Sequence, residues 1–199
     1  MGRQSIERDN LSQQCEIQVG RRLPGDPTRE QMLERLIRVD HAGEYGAVRI
    51  YEGQLAVLGM SASGPVIERM LDQECAHLET FDRLVADRRV RPSALIPLWH
   101  LAGFALGAGT ALLGKKAAMA CTVAVEEAID EHYAGQIARL EDDGEEAELR
   151  RTCKQFRDDE LEHRNTGLEL GARETPGYEL LTGVVKAGSR LAIWLSTRL

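Results

Sequence analysis

The chain has 199 residues, with 25 Lys and Arg against 32 Asp and Glu and a net charge of −7. That length is ample for one domain with its own core, and the acidic balance excludes nucleic acid as the main partner, because phosphate binding needs a basic face. Hydrophobic residues at 43% and charged residues at 29% exclude a disordered chain and an ordinary polytopic membrane protein.

Residues 1–27 read as a polar N-terminal arm. Arg3, Glu7, Arg8, Asp9 and Glu16 leave no apolar stretch for a secretory signal, and the acids argue against a transit peptide. The arm ends at the turn signals Pro24, Gly25 and Pro27. From residue 28 to 199 the pattern is helical, and that stretch is expected to be one domain. Thr28 and Gln31 have capping-box spacing, and Leu33, Ile37, Ala47, Tyr51, Leu55 and Leu58 continue the first helix to a break at 59–65. A second helix carries Ile67, Leu71, Leu78, Phe81 and Leu84 and ends near Arg91 and Pro92. A third, apolar segment is punctuated by Pro97. A fourth helix spans about 115–141 and stops at Asp142, Asp143 and Gly144. A fifth spans about 145–170, where Gly171 can cap it, and a last one follows the turn at Pro176 and Gly177. No stretch alternates with period two for long enough to be a buried strand. The predicted fold is all-α: a four-helix bundle with two additional apolar or amphipathic helical segments.

Those two segments bear on the membrane. Residues 92–114 carry no Asp, Glu, Lys or Arg in 23 positions, long enough for a transmembrane helix. Pro97, His100 and four glycines argue against a span, and basic residues at both ends give no sidedness. An apolar helix against the bundle and the membrane surface is the preferred reading. Residues 180–199 support it, holding Lys186, Arg190, Trp194 and Arg198 with no acid. On pattern alone, two core helices of a soluble domain remain open. Cys15, Cys75, Cys121 and Cys153 form no Cys-x-x-Cys pair, so neither a zinc nor a disulfide framework is expected, and a reducing compartment is.

Two Glu-x-x-His units stand out: Glu74-Cys-Ala-His77 and Glu160-Leu-Glu-His163. Residues three apart share a helix face, so each unit offers a carboxylate and an imidazole to one metal. Glu44 precedes the first unit by 30 residues and Glu126 the second by 34, one helical hairpin each. Two hairpins of the form Glu … Glu-x-x-His match the ligand plan of ferritin-like di-metal bundles. Glu126 is preferred over Glu127 because Met119, Val123, Glu126, Asp130, Tyr133, Ile137 and Leu140 follow an a/d seam. Four carboxylates and two neutral imidazoles balance two divalent cations, and this donor set fits iron or manganese. Asp40 and Asp159 are candidates to orient the histidines through their outer nitrogens, with Asp130 and Tyr133 as further neighbours. His41 and His132 are expected to be exposed rather than ligands, and His100 to be a polar anchor or a substrate contact.

The stretches RVDHAGEYGAVRIYEGQLAVLG, RVRPSALIPLWHLAGFALGAGTALLGKKAAMACTVAVEEAIDEHY, FRDDELEH and KAGSRLAIWLSTRL closely resemble the demethoxyubiquinone hydroxylase family. The resemblance covers about residues 35–199. It implies a ferritin-like di-iron monooxygenase whose ligands fall on Glu44, Glu74, His77, Glu126, Glu160 and His163. It implies dioxygen as co-substrate, with NADH the implied reductant, although no Gly-rich dinucleotide fingerprint is present. The substrate would be a demethoxyubiquinol, 2-polyprenyl-3-methyl-6-methoxy-1,4-benzoquinol, which lives in the bilayer. A peripheral position on the cytoplasmic face of a bacterial inner membrane follows. A homo-oligomer or a ubiquinone-biosynthesis complex is the assembly to expect. A ferroxidase or iron store on the same bundle would use the same ligands, but has no need of the apolar segments.

Overall fold

Helices start and stop where breakers and caps stand in the sequence. The computed structural model describes residues 25–141 and 143–199. Most of the polar arm expected over 1–27, with Cys15, lies outside the described residues, as does Asp142. Two units divide the chain, Met1–Met32 and Leu33–Leu199. In the first, the Thr28 backbone N–H donates to Gln31 Oε1 at 2.9 Å and the Gln31 N–H donates to Thr28 Oγ1 at 3.0 Å, a reciprocal capping box.

The described residues form six α-helices: α1 (Arg29–Leu58), α2 (Gly64–Asp87), α3 (Ile96–Leu112), α4 (Lys115–Arg139), α5 (Ala147–Glu169) and α6 (Tyr178–Ser196). Short 3₁₀ turns at Gly144–Glu146 and Ala172–Glu174 precede α5 and α6. Gly171 and Gly177 adopt the left-handed conformation that lets the chain leave one helix and enter the next. The architecture is an all-α, ferritin-like bundle of α1, α2, α4 and α5, with α3 and α6 added on one side.

α4 is the central element. Every residue from 117 to 126 is buried, so this part of the helix is covered all round rather than along one stripe. Its Ala117, Ala118, Ala120 and Ala124 are small enough to admit neighbours on several faces. Tyr51, Ile67, Met70, Met119 and Val123 form one apolar cluster with α4, while Ile50, Val125 and Val185 pack on its other side. Lys186 pairs with Glu127, and Arg190 with Glu131 at 2.9 Å, which ties α6 to α4.

α3 is seated on α1 by glycines. A Cβ at Gly107 would overlap the Ile50 carbonyl, one at Gly103 would lie 2.9 Å from the Gly46 oxygen, and Gly53 meets the Phe104 carbonyl from the other side. The glycines and the proline of this segment also have local roles in the packed helix. Gly103 and Gly107 buy close backbone approach, and Pro97 occupies the first turn, where its missing N–H costs no helical bond. Trp99 Nε1–H donates to Ser196 Oγ at 3.0 Å and joins α3 to α6. Among the described residues no helix is long and apolar enough to cross a membrane.

Gly107→Ala should destabilise the protein by about 1–3 kcal/mol, the usual cost of overpacking. Gly109→Ala on the same helix meets nothing within 4 Å and should be neutral or stabilise by up to about 1 kcal/mol. Chemical denaturation of both variants checks this; equal effects would contradict the glycine contact.

Candidate metal centre

Glu44 from α1, Glu74 and His77 from α2, Glu126 from α4, and Glu160 and His163 from α5 converge in the bundle, none more than 3% exposed. Their ligand atoms form two groups: Glu44, Glu74, His77 and Glu160, and Glu74, Glu126, Glu160 and His163, with the atoms of each group within 4.8 Å of one another. Glu74 and Glu160 belong to both groups. The three-residue step between Glu and His puts both side chains on one helix face, and each hairpin repeats the arrangement.

The donor atoms fit cations. His77 Nδ1 lies 3.4 Å from Glu44 Oε2 and 3.3 Å from Glu160 Oε1; His163 Nδ1 lies 3.1 Å from Glu74 Oε1 and 3.2 Å from Glu160 Oε2. None of these approaches has hydrogen-bond geometry. Both Nδ1 atoms, both oxygens of Glu74 and of Glu160, and Glu126 Oε2 are buried without a hydrogen-bond partner. Each unsatisfied buried polar atom costs about 1–3 kcal/mol, more for a charged group, and a cation among them would satisfy several at once. Hard oxygen donors with two imidazoles and no thiolate suit a pair of iron or manganese ions.

Electrostatics agree. Burial pushes the carboxyls of Glu74 and Glu126 well above the usual range, and the neighbouring Glu160 adds to it; Glu44 is raised for the same first reason. Burial also raises Glu160, but His163 and His77 overcome it and hold that carboxyl down at about 2. Burial disfavours the charged form of His77, yet Glu160 and Glu44 lift its pKa to about 11, and His163 is raised likewise. The cluster thus demands positive charge, as protons or as metal.

A ring of outer hydrogen bonds orients these groups. Tyr133 Oη donates to Glu44 Oε1, and Tyr51 Oη donates to Glu126 Oε1 at 2.7 Å, so each tyrosine crosses between α1 and α4. Burial, reinforced by the adjacent carboxylates, keeps both phenols protonated. His77 Nε2 meets Asp159 Oδ2 at 3.1 Å, and His163 Nε2 meets Gln73 Oε1 at 3.0 Å. Phe156 stacks on the His77 ring at 3.8 Å and covers it.

Some expected neighbours stand elsewhere. Asp159 does reach His77, and Tyr133 touches Glu44 rather than Glu126. Asp40 touches neither His77 nor His163; its Oδ1 accepts from His132 Nε2 at 2.9 Å and Gln136 Nε2 at 2.6 Å. Asp130 pairs with Arg157 at 2.6 Å. His41 is buried against Asp82 at 3.0 Å and His132 is half-buried on Asp40, so the expected exposure of both is corrected; each has a carboxylate to satisfy it. His100 Nδ1 bonds Tyr45 Oη at 2.7 Å, a polar anchor between α3 and α1. Tyr51 and Gln73 were missed. The signal for Gln73 was its position: it precedes Glu74 as Asp159 precedes Glu160.

Beside the cluster lies an apolar cavity of about 480 Å³, walled by α1, α3, α4 and α6. Ala47 and Val125, close in sequence to Glu44 and Glu126, line it together with Ile50, Trp99, Leu106 and Leu191. Next to it α3 and α6 present Leu98, Leu101, Leu180, Val184, Leu191 and Trp194 to solvent. Lys186 and Arg190, two of the basic residues in the segment expected to lie on a membrane surface, pair with Glu127 and Glu131.

A family model described as ubiquinone biosynthesis protein COQ7 matches residues 31–196. The chain is 62% identical to the 3-demethoxyubiquinol 3-hydroxylase of Rhodospirillum rubrum over 178 residues, 89% of this chain and 83% of that one. It is 57% identical to the human NADPH-dependent 3-demethoxyubiquinone 3-hydroxylase, mitochondrial, over 169 residues, 84% of this chain and 78% of the relative. It is 45% identical to the 5-demethoxyubiquinone hydroxylase, mitochondrial, of Saccharomyces cerevisiae over 182 residues, 84% of this chain and 78% of that protein.

The charge balance predicts an unusual pH response. With the folded His77 pKa near 11 against an ordinary 6.5, the folded state binds the extra proton throughout that window. The raised carboxyls of Glu74 and Glu126 act in the same direction. Stability of the chain stripped of metal by a chelator should therefore fall as pH rises above about 6.5. Added Mn²⁺ should abolish that fall. Thermal melts across pH with and without the ion measure it; a metal-free chain that gains stability over this range would contradict the charge balance.

Proposed function

Because the chain belongs to the demethoxyubiquinone hydroxylase (COQ7) family, we propose that it hydroxylates the ring of a demethoxyubiquinol in ubiquinone biosynthesis, with dioxygen as co-substrate and two iron ions. The observation that carries this reading is the pair of buried four-residue groups sharing Glu74 and Glu160. Glu44 and His77 would hold one ion, Glu126 and His163 the other, and Glu74 and Glu160 both. The iron pair, when bound, supplies the redox chemistry that activates dioxygen. The chain's own groups position that chemistry: Tyr133 and Tyr51 fix Glu44 and Glu126, the outer partners fix both imidazoles, and Phe156 keeps water from His77.

The apolar cavity is the seat for the substrate's polyprenyl tail. Its volume is in the range of ligand pockets, its walls are almost wholly apolar, and it adjoins the helix segments that carry Glu44 and Glu126. The exposed leucines and Trp194 of α3 and α6 support a peripheral position on a bilayer, from which such a tail can enter without leaving apolar surroundings. We read that bilayer as the inner membrane of a bacterium, with the protein on its cytoplasmic face. With Lys186 and Arg190 engaged by α4, the apolar contribution to docking dominates the electrostatic one. Electrons come from a reduced nicotinamide, NADH or the NADPH that the human relative's name carries, with no dinucleotide-binding fold among the described residues. We read 28–199 as the functional domain and 1–27 as its arm, with a homo-oligomer or a ubiquinone-biosynthesis complex as further context.

Cells lacking this chain should accumulate demethoxyubiquinone. Unchanged quinones with altered cellular iron would instead make it an iron-handling protein. Gly188→Leu lengthens a side chain into the cavity, where a Cβ meets nothing within 4 Å. It should raise KM for the long-tailed substrate at least about tenfold, the equivalent of about 1.4 kcal/mol of lost apolar burial, at unchanged metal content. An unaltered KM would remove the cavity from the substrate path.

A further inference from the structure

We propose that Asp159 and Gln73 make the two metal positions unequal, so that the position containing His77 binds its ion more tightly and fills first. This rests on the metal-centre reading above and goes beyond it. The two halves of the site are otherwise matched in their hydrogen bonds. Glu74 and Glu160 serve both groups, and Tyr133 and Tyr51 each donate to one terminal glutamate. The residue before each Glu-x-x-His unit then crosses between α2 and α5 to the other unit's histidine. Asp159 reaches His77 at 3.1 Å, and Gln73 reaches His163 at 3.0 Å. At this matched point one half has a carboxylate and the other a neutral carboxamide.

That difference acts through the ring. In both histidines Nδ1 faces the carboxylate cluster as the ligand atom, so Nε2 carries the hydrogen and donates outward. A carboxylate acceptor withdraws more of that hydrogen than an amide oxygen does and leaves the imidazole the stronger donor at Nδ1. Charge-assisted hydrogen bonds are also roughly twice as strong as neutral ones, so the His77 ring is held the more firmly in its ligating orientation. Asp159 adds a negative charge on that side which Gln73 does not match. Solvent screens part of it, because Asp159 is only half-buried, but the directed bond to Nε2 is unaffected. Replacing such an outer partner typically changes metal affinity by about 10–100-fold. Asp159 is a positioning residue here, acting on the metal through His77.

Titration of the full chain, stripped by a chelator, with Mn²⁺ alone tests this by calorimetry and electron paramagnetic resonance. Wild type should bind two equivalents in two resolved steps, at least about tenfold apart, and give chiefly an isolated-ion spectrum at one equivalent. Asp159→Asn should weaken the first step by about 10–100-fold and merge the two, so that spin-coupled pairs appear at half-loading. Asp159→Glu should restore the separation, and Gln73→Glu should strengthen the second step. Two indistinguishable equivalents in wild type, or unchanged steps in Asp159→Asn, would overturn the inference while leaving a two-metal site. Absence of Mn²⁺ binding in wild type would remove the metal-centre reading and this inference with it. If Asp159→Asn does not fold, Gln73→Glu decides, and an unchanged second step overturns the proposal.

Discussion

Four glutamates dried out in the core of a helical bundle cannot all carry their charge unless positive charge is brought to them. At full burial an isolated carboxylate either takes up a proton or finds a cation, since its hydration is worth more than any packing around it. Glu44, Glu74, Glu126 and Glu160 are placed so that two imidazoles and a shared set of unsatisfied oxygens face one another. Much else follows from that demand. The small residues of α4 let α1 and α5 come close enough to deliver their ligands. The two tyrosines use their only donor on the terminal glutamates. The outer partners, Asp159 and Gln73, hold the two imidazoles from their far side.

α1 and α4 each do two things. One face of the pair carries ligands into the bundle, and another lines the apolar cavity against α3 and α6. Glycines 103 and 107 draw α3 onto α1 by backbone approach, which places an uncharged helix beside the most charged part of the core without filling the space between them. The cavity lining includes Gly43 and Val125, the sequence neighbours of Glu44 and Glu126.

Much of this was legible in the sequence. The doubled Glu … Glu-x-x-His spacing, the capping box at Thr28 and the breaks at Gly59–Pro65 and Pro176–Gly177 are local signals, and the helices obey them. Glu126 could be told from Glu127 by periodicity, although α4 is buried all round over residues 117–126, so the period that identified it is only part of its environment. What sequence reading missed depends on pairing across helices. Gln73 carries no charge and no ligand signature until His163 is seen against it. Tyr51 looks like any core residue until its hydroxyl meets Glu126. His41 and His132 look like surface histidines because their carboxylate partners are 41 and 92 residues away. Lys186 and Arg190 looked free for lipid because Glu127 and Glu131 belong to another helix. Distance along the chain hid each of these contacts, not weakness of the interaction.

The central claim is that six buried side chains form one site for two ions, with Glu74 and Glu160 common to both. Crystals of the full chain soaked anaerobically with Fe²⁺ and measured on either side of the iron absorption edge test it directly. The account predicts two anomalous peaks in the bundle core, one among Glu44, Glu74, His77 and Glu160 and the other among Glu74, Glu126, Glu160 and His163. A single peak, or iron bound only outside this cluster, would contradict it.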